Sequence, residues 1–269
     1  MDTKPISKLY TFWEFISSNK IEIPIIQRDY AQGRKEETEV RENFLNALFK
    51  AISDNKLLNL DFIYGSFLDG SFQPIDGQQR LTTLFLLNWY AAKKDNLLTD
   101  DVKSILSKFR YVTRVSTRDF CNYLVNKQID YDFQHGEDSI IKSIKDSFWY
   151  FMSWDNDPSI SAMLKTINDI HIKFRGINNL FEKLTSANCP ITYYCIELKD
   201  FGLTDDLYIK MNARGKLLTS YENFKASFQK YINENKWDDN KPITDIFTFK
   251  CDTKWTDFFW KFRTNNLID

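Results

Sequence analysis

The stretch "FQPIDGQQRLTTLFLLNWYAA", residues 72 to 92, places Asp76, Gly77, Gln78, Gln79 and Arg80 between an apolar strand and a strongly apolar helix. A strand, turn and helix in that order would bring the backbone N–H groups of residues 77 to 79 to a helix N-terminus. Donors there have no intrahelical partner, and the helix dipole favours negative charge. Arg80 adds a guanidinium fork suited to phosphate oxygens, and Gln78 and Gln79 add amide donors. Asp76 could hold a magnesium ion that bridges phosphates, or orient an attacking water. The five residues thus suit an anion cradle built mainly from side chains.

With only 8 glycines, the chain carries neither the Gly-x-x-x-x-Gly-Lys-[Ser/Thr] nor the Gly-x-Gly-x-x-Gly pattern, so phosphates would bind without a P-loop or a Rossmann turn. A second reading of the same residues needs no ligand: Asp76 and Gln79 fit an Asp-x-x-Gln capping box. Two further polar clusters bear on the choice. In "IPIIQRDYAQGR", Gln27, Arg28, Asp29 and Tyr30 follow an apolar extended segment, as in a solvated loop. In "MNARGKLL", Asn212, Arg214 and Gly215 precede a helix whose first turns carry Glu222 and Lys225, and a C-cap-like turn is the ordinary explanation.

Composition narrows the chemistry. The 36 basic and 37 acidic residues give a net charge of -1, so no whole-protein field draws in nucleic acid and any DNA contact must be a local basic surface. Two isolated histidines, His135 and His171, argue against zinc hydrolysis, His-dependent acyl transfer and histidine-metal nucleases. Cys121, Cys189, Cys195 and Cys251 lack regular spacing and suit reduced core thiols of a cytoplasmic protein. No window approaches a membrane span. The 16% aromatic share serves a core before it serves base stacking.

The elements that must carry these clusters follow from periodicity. Helices are expected over Leu9–Asn19, Glu36–Ile52, Gln78 to about Lys93, Leu98–Lys108, Ser139–Trp154, Asp157-Pro158 to about Phe174, and Asn178–Ser186. Ser116 or Thr117 is expected to cap a helix running to Asn126. Asp69-Gly70 between "LDFIYGSFL" and "SFQPI" predicts an antiparallel hairpin, while "FRYVTRV" and "ITYYCIEL" predict strands. Thr219 and Glu222 form a capping box, and Trp255, Phe258, Phe259 and Phe262 share one helical face near the end. Arg110, Arg114 and Arg118 recur every four residues, as a basic helical stripe for DNA phosphates would, but Phe109, Tyr111, Thr113 and Val115 alternate as in a strand, which would leave only Arg114 and Arg118 near one site.

The ordered set "IPIIQRDY", "DGQQRLTTL" and "MNARGKLLTSYENFKA" resembles the N-terminal domain of GmrSD-type restriction enzymes, over about residues 5 to 230. In weaker form, "QPIDGQQRLTTL" resembles the phosphate-binding segment of ParB proteins. The resemblance implies a ParB/sulfiredoxin-like core that binds a nucleoside triphosphate with magnesium, hydrolyses it in several members, and serves bacterial phage defence against foreign DNA. It would make Asp76, Gln79 and Arg80 the catalytic and phosphate-contacting residues, with Asp76 on the metal and Gly77 and Gln78 lining the cradle. Gln27, Arg28 and Tyr30 would face the nucleotide, and Asn212, Arg214 and Lys225 would close the site. Many relatives have a tryptophan after the tyrosine of the first cluster, where this chain reads "YAQGR". A His-Asn-His nuclease is expected outside these residues, in a C-terminal region or another chain.

The expected fold is α+β. Residues 1–98 would open a core with a small mixed sheet, and 99–189 would form a mainly helical insertion. Residues 190–234 would return to the core, and 235–269 would form a helical tail leading to a further domain. A nucleotide-dependent hydrolase module, a non-hydrolytic nucleotide or DNA-phosphate switch, and a pure interaction protein remain open on the residues alone.

Overall fold

A computed structural model describes residues 7–24, 30, 32, 34, 37–112, 115–133, 136, 139–198, 225, 228, 231–232, 246–247, 250–251 and 255. The elements, in chain order, are β1 (Ser7–Tyr10), α1 (Phe12–Ser18), β2 (Lys20–Ile23), α2 (Thr38–Asp54), β3 (Leu58–Leu68), β4 (Ser71–Pro74) and α3 (Gln78–Lys94). They continue with α4 (Asp100–Leu106), β5 (Phe109–Tyr111), α5 (Val115–Asn126), α6 (Ile140–Lys145), α7 (Pro158–Phe174), α8 (Leu180–Thr185) and β6 (Ile191–Glu197). The fold is α+β, with a mixed sheet of six described strands in the order β1-β6-β3-β4-β2-β5. β1 with β6 and β3 with β4 are antiparallel; β3 with β6, β2 with β4 and β2 with β5 are parallel.

The hairpin between β3 and β4 turns at Asp69 (φ 49°) and Gly70 (φ 75°), the left-handed pair that an Asp-Gly turn supplies at low cost. Beyond its first turn helix α3 is mostly apolar on every face, which suits a helix enclosed on all sides. Leu81 through Ala92 are all buried. Phe85 stacks on Phe109 of β5 with ring centroids 4.5 Å apart, and Phe15 of α1 meets Phe72 of β4 edge-on at 5.0 Å. Around these contacts one apolar cluster extends from Phe12 to Cys195, and Cys121, Cys189, Cys195 and Cys251 are buried free thiols.

Three local expectations give way. The run Leu9–Asn19 is not one helix, because Leu9 and Tyr10 pair with Tyr194 and Tyr193 in the sheet. Helix α1 begins only after Thr11, whose hydroxyl and the Glu14 carboxylate form a capping box. Ser139–Trp154 holds helix only to Lys145, followed by a 3-10 turn over Met152–Asn156. Trp149 and Trp154 leave the helical path to pack with Phe120 and Tyr123. Ser116 and Thr117 do not cap α5; they lie within it and donate hydroxyl hydrogen bonds to Asp157 Oδ2 at 2.6 and 2.9 Å. Asp157 in turn caps α7 ahead of Pro158, as expected. The Thr219 and Glu222 capping box lies outside the described residues, as do Phe258, Phe259 and Phe262.

Candidate functional site

β4 ends at Pro74, and the chain turns through Ile75 and Asp76, whose N–H groups both donate to the Tyr64 carbonyl, at 2.7 and 3.2 Å. Gly77 then takes φ 87° and is the N-cap of α3. A side chain there would meet more than a strained backbone: a Cβ would stand 2.7 Å from Ile63 Cγ1. No side chain caps the first turn of α3, so the Asp76–Gln79 capping box does not form. The glycine displaces it because the left-handed corner moves the cap position one residue past the aspartate.

Asp76 instead holds Arg80. The guanidinium Nη2 stands 3.3 Å from Asp76 Oδ2, with the carboxylate side chain 54% exposed and the arginine 23%. The same fork reaches across to β3, where Nη2 donates to the Phe62 carbonyl at 2.8 Å and Nη1 to the Leu60 carbonyl. Those two carbonyls flank Asp61, a positive-φ residue (60°) at the shift in register between β3 and β6. Arg80 thus brackets a bulge as well as facing the corner. Gln78 turns back toward its own strand, with Nε2 donating to the Pro74 carbonyl at 2.6 Å.

Gln79 carries the link to the first polar cluster. Its Oε1 accepts from the Gln32 backbone N–H at 3.4 Å, while Gln32 Oε1 accepts from the Thr83 hydroxyl at 2.5 Å. Tyr30 is fully buried, its hydroxyl 2.8 Å from Thr83 Oγ1 and 3.1 Å from Thr166 Oγ1, and its N–H donates to Ser159 Oγ. Burial pushes the Tyr30 phenol up to about 12. Arg41 of α2 completes the anchor: Nε pairs with Asp169 Oδ2 at 2.6 Å and Nη1 donates to the Gln32 carbonyl at 2.6 Å. The ring of Tyr30 is therefore placed as a core anchor that seats the loop on α3 and α7.

The structure thus brings the loop at Tyr30 and Gln32 against the α3 N-terminus at Gln79. Gln27, Arg28, Asn212 and Arg214 lie outside the described residues; Lys225 is described as helical and half-buried. Thr83, Thr166, Ser159, Gln32, Arg41 and Asp169 were not expected as part of the arrangement. One signal for the threonine was present in the sequence: Thr82 and Thr83 interrupt an otherwise apolar run, and polar residues inside a core helix need partners.

Among the described residues no group of three or more His, Cys, Asp or Glu side chains could hold a metal ion. Among the described residues no helix is long and apolar enough to cross a membrane.

The sequence pattern of the family described as "GmrSD restriction endonuclease, N-terminal domain" matches residues 12–229. A search of curated proteins finds no match to the chain.

Proposed function

This chain belongs to the family of GmrSD restriction endonuclease N-terminal domains, and from that premise we propose that the corner at residues 76–80 binds a nucleoside triphosphate with magnesium and hydrolyses it. A component of a DNA-restriction system needs a step that commits it to action, and nucleotide turnover is a chemistry this corner suits. The observation that carries the reading is the state of Asp76. Its carboxylate is not spent as a helix cap and stays half exposed beside the uncapped first turn of α3.

In this reading the N–H groups at the start of α3 receive phosphate oxygens. Asp76 holds the metal or orients the attacking water, and Arg80 steadies the carboxylate while offering its remaining N–H groups to the phosphates. Gln79, fixed against Gln32, orients the ligand from the side of the first loop. A bound magnesium ion would supply neutralisation of charge developing on the phosphates. The nuclease partner implied by the family would act on DNA downstream of this event.

One observation favours a second reading, in which the same ligand binds as a switch without turnover. Arg80 is already engaged by two carbonyls and a carboxylate, which leaves fewer donors for a transition state. Phosphate release from several triphosphates with magnesium separates the two. Turnover by wild type that Asp76→Asn abolishes while binding persists is the expected result. Ligand-induced thermal stabilisation without any release would favour the switch, and neither effect with any triphosphate would overturn both.

A further inference from the structure

Away from the α3 corner, the ends of α4 and α5 and strand β5 enclose a cleft of about 230 Å³ lined by Ser107, Arg110, Arg118, Asp119 and Asn122 over a floor that includes Phe109 and Cys121. Two arginines eight positions apart in the sequence therefore line one cavity. Strand alternation explains the first: Phe109 and Tyr111 turn inward and Arg110 outward. Helix α5 brings back the second one turn after its start. Arg114 lies outside the described residues.

Each guanidinium is held by one carboxylate through part of its fork. Arg110 Nε donates to Glu22 Oε1 at 2.8 Å and its Nη2 contacts the same oxygen, while Arg118 Nε is 3.2 Å from Asp119 Oδ1. Arg110 is 54% and Arg118 47% exposed, so both remain open to solvent. A planar fork gripped on one edge keeps its other N–H groups oriented, which lowers the ordering cost of a new contact. On the neighbouring wall, Asn126 Nδ2 donates to Ser107 Oγ at 3.3 Å and to Asn122 Oδ1 at 2.8 Å, which fixes two neutral polar side chains beside the arginines.

We propose that this cleft is a second oxyanion site, which seats a phosphate group of the DNA backbone between Arg110 and Arg118. Glu22 and Asp119 balance the two cations locally, so the contact is weak by itself, depends on salt, and acts as one positioning point within a larger interface. The choice of DNA as phosphate source rests on the restriction-system reading; the site does not depend on triphosphate binding at Asp76.

The test is anisotropy of a short labelled duplex with the purified chain, without nucleotide or magnesium, over a series of salt concentrations. Arg118→Gln and Asn122→Asp should each weaken binding by about tenfold at low salt, and Arg118→Gln should flatten the log–log salt slope by about 1. Asp119→Asn removes a repelling carboxylate and should tighten binding, a gain that a merely structural pair would not produce. Arg110 is left intact because its removal would strand Glu22, whose side chain is only 12% exposed. Unchanged affinity and slope in all three variants, with melting temperatures like wild type, would overturn the proposal. So would failure of wild type to bind duplex at low salt, including the case where inorganic phosphate alone raises its melting temperature. Phosphate release from triphosphates should be the same in the variants as in wild type, so failure here is separate from failure at Asp76.

Discussion

Arg80 Nη2 donates to the Phe62 carbonyl at 2.8 Å and also to Asp76 Oδ2 at 3.3 Å, the aspartate standing just ahead of the Gly77 cap of α3. One guanidinium ties the first turn of α3 to the bulge of β3, which holds the corner at a set angle to the sheet. Arg80→Ala should therefore lower unfolding free energy by about 1.5–3 kcal/mol in the absence of any nucleotide, the range for a hydrogen bond to a charged group. Arg80→Lys should recover only part of it, since an ammonium cannot reproduce the planar fork. Urea denaturation of the three proteins is the check, and equal stabilities would show the bracket to be idle.

Gly77→Ala tests the corner itself. The left-handed backbone costs an alanine about 1–2 kcal/mol, and the approach to Ile63 adds an overpacking cost of about 1–3 kcal/mol. The expected outcome is a fold weakened by the sum, with triphosphate binding lost beyond what the stability change explains. Ligand titration at a temperature where the variant is still folded measures the second part.

Tyr30→Phe removes one hydroxyl from a buried site where it meets Thr83 and Thr166. The cost should be about 1–3 kcal/mol, because a threonine hydroxyl loses a partner away from water. If Tyr30 acts as an anchor, turnover should fall no further than the misplacement of Gln32 and Gln79 requires. A steady-state split, with KM raised and kcat nearly kept, is the expected signature.

His171 gives the chain a pH dependence. The ring is 2% exposed, with Nδ1 3.0 Å from the Tyr90 hydroxyl and Nε2 near the Tyr131 hydroxyl at 2.9 Å and the Gly136 carbonyl at 3.1 Å. Burial lowers its pKa below 6.5, the Gly136 carbonyl raises it, and Arg175 lowers it. A depressed base takes its proton first in the unfolded chain, so stability present above about pH 6.5 is lost as pH falls toward the folded value. Urea midpoints should fall on acidification in wild type, and His171→Gln should lack that part of the slope.

Much of the frame was legible from local pattern. The Asp69-Gly70 hairpin, the buried length of α3, the Asp157-Pro158 start of α7 and strand β6 all follow from periodicity and turn chemistry, which act over a few residues. "DGQQRLTTL" with its two companion strings also pointed to the family, because an ordered set of uncommon strings is hard to meet by chance. The same local reasoning missed β1, where Leu9 and Tyr10 fit a helical face as well as a strand and only their pairing with β6 decides.

What each polar side chain does was settled by partners far along the chain. Tyr30 meets Thr166 across 136 positions and Arg80 meets Leu60 across 20, and neither partner is visible in a window of sequence. Asp76 could be a cap or an open carboxylate until the left-handed turn at Gly77 moved the cap past it. Arg110 and Arg118 share a cleft because a strand and a helix happen to close on one another. Residue types and spacings determine which elements form, since those choices are local; the pairing of charges and hydroxyls depends on which surfaces the packed core leaves in contact, and only the tertiary structure decides that.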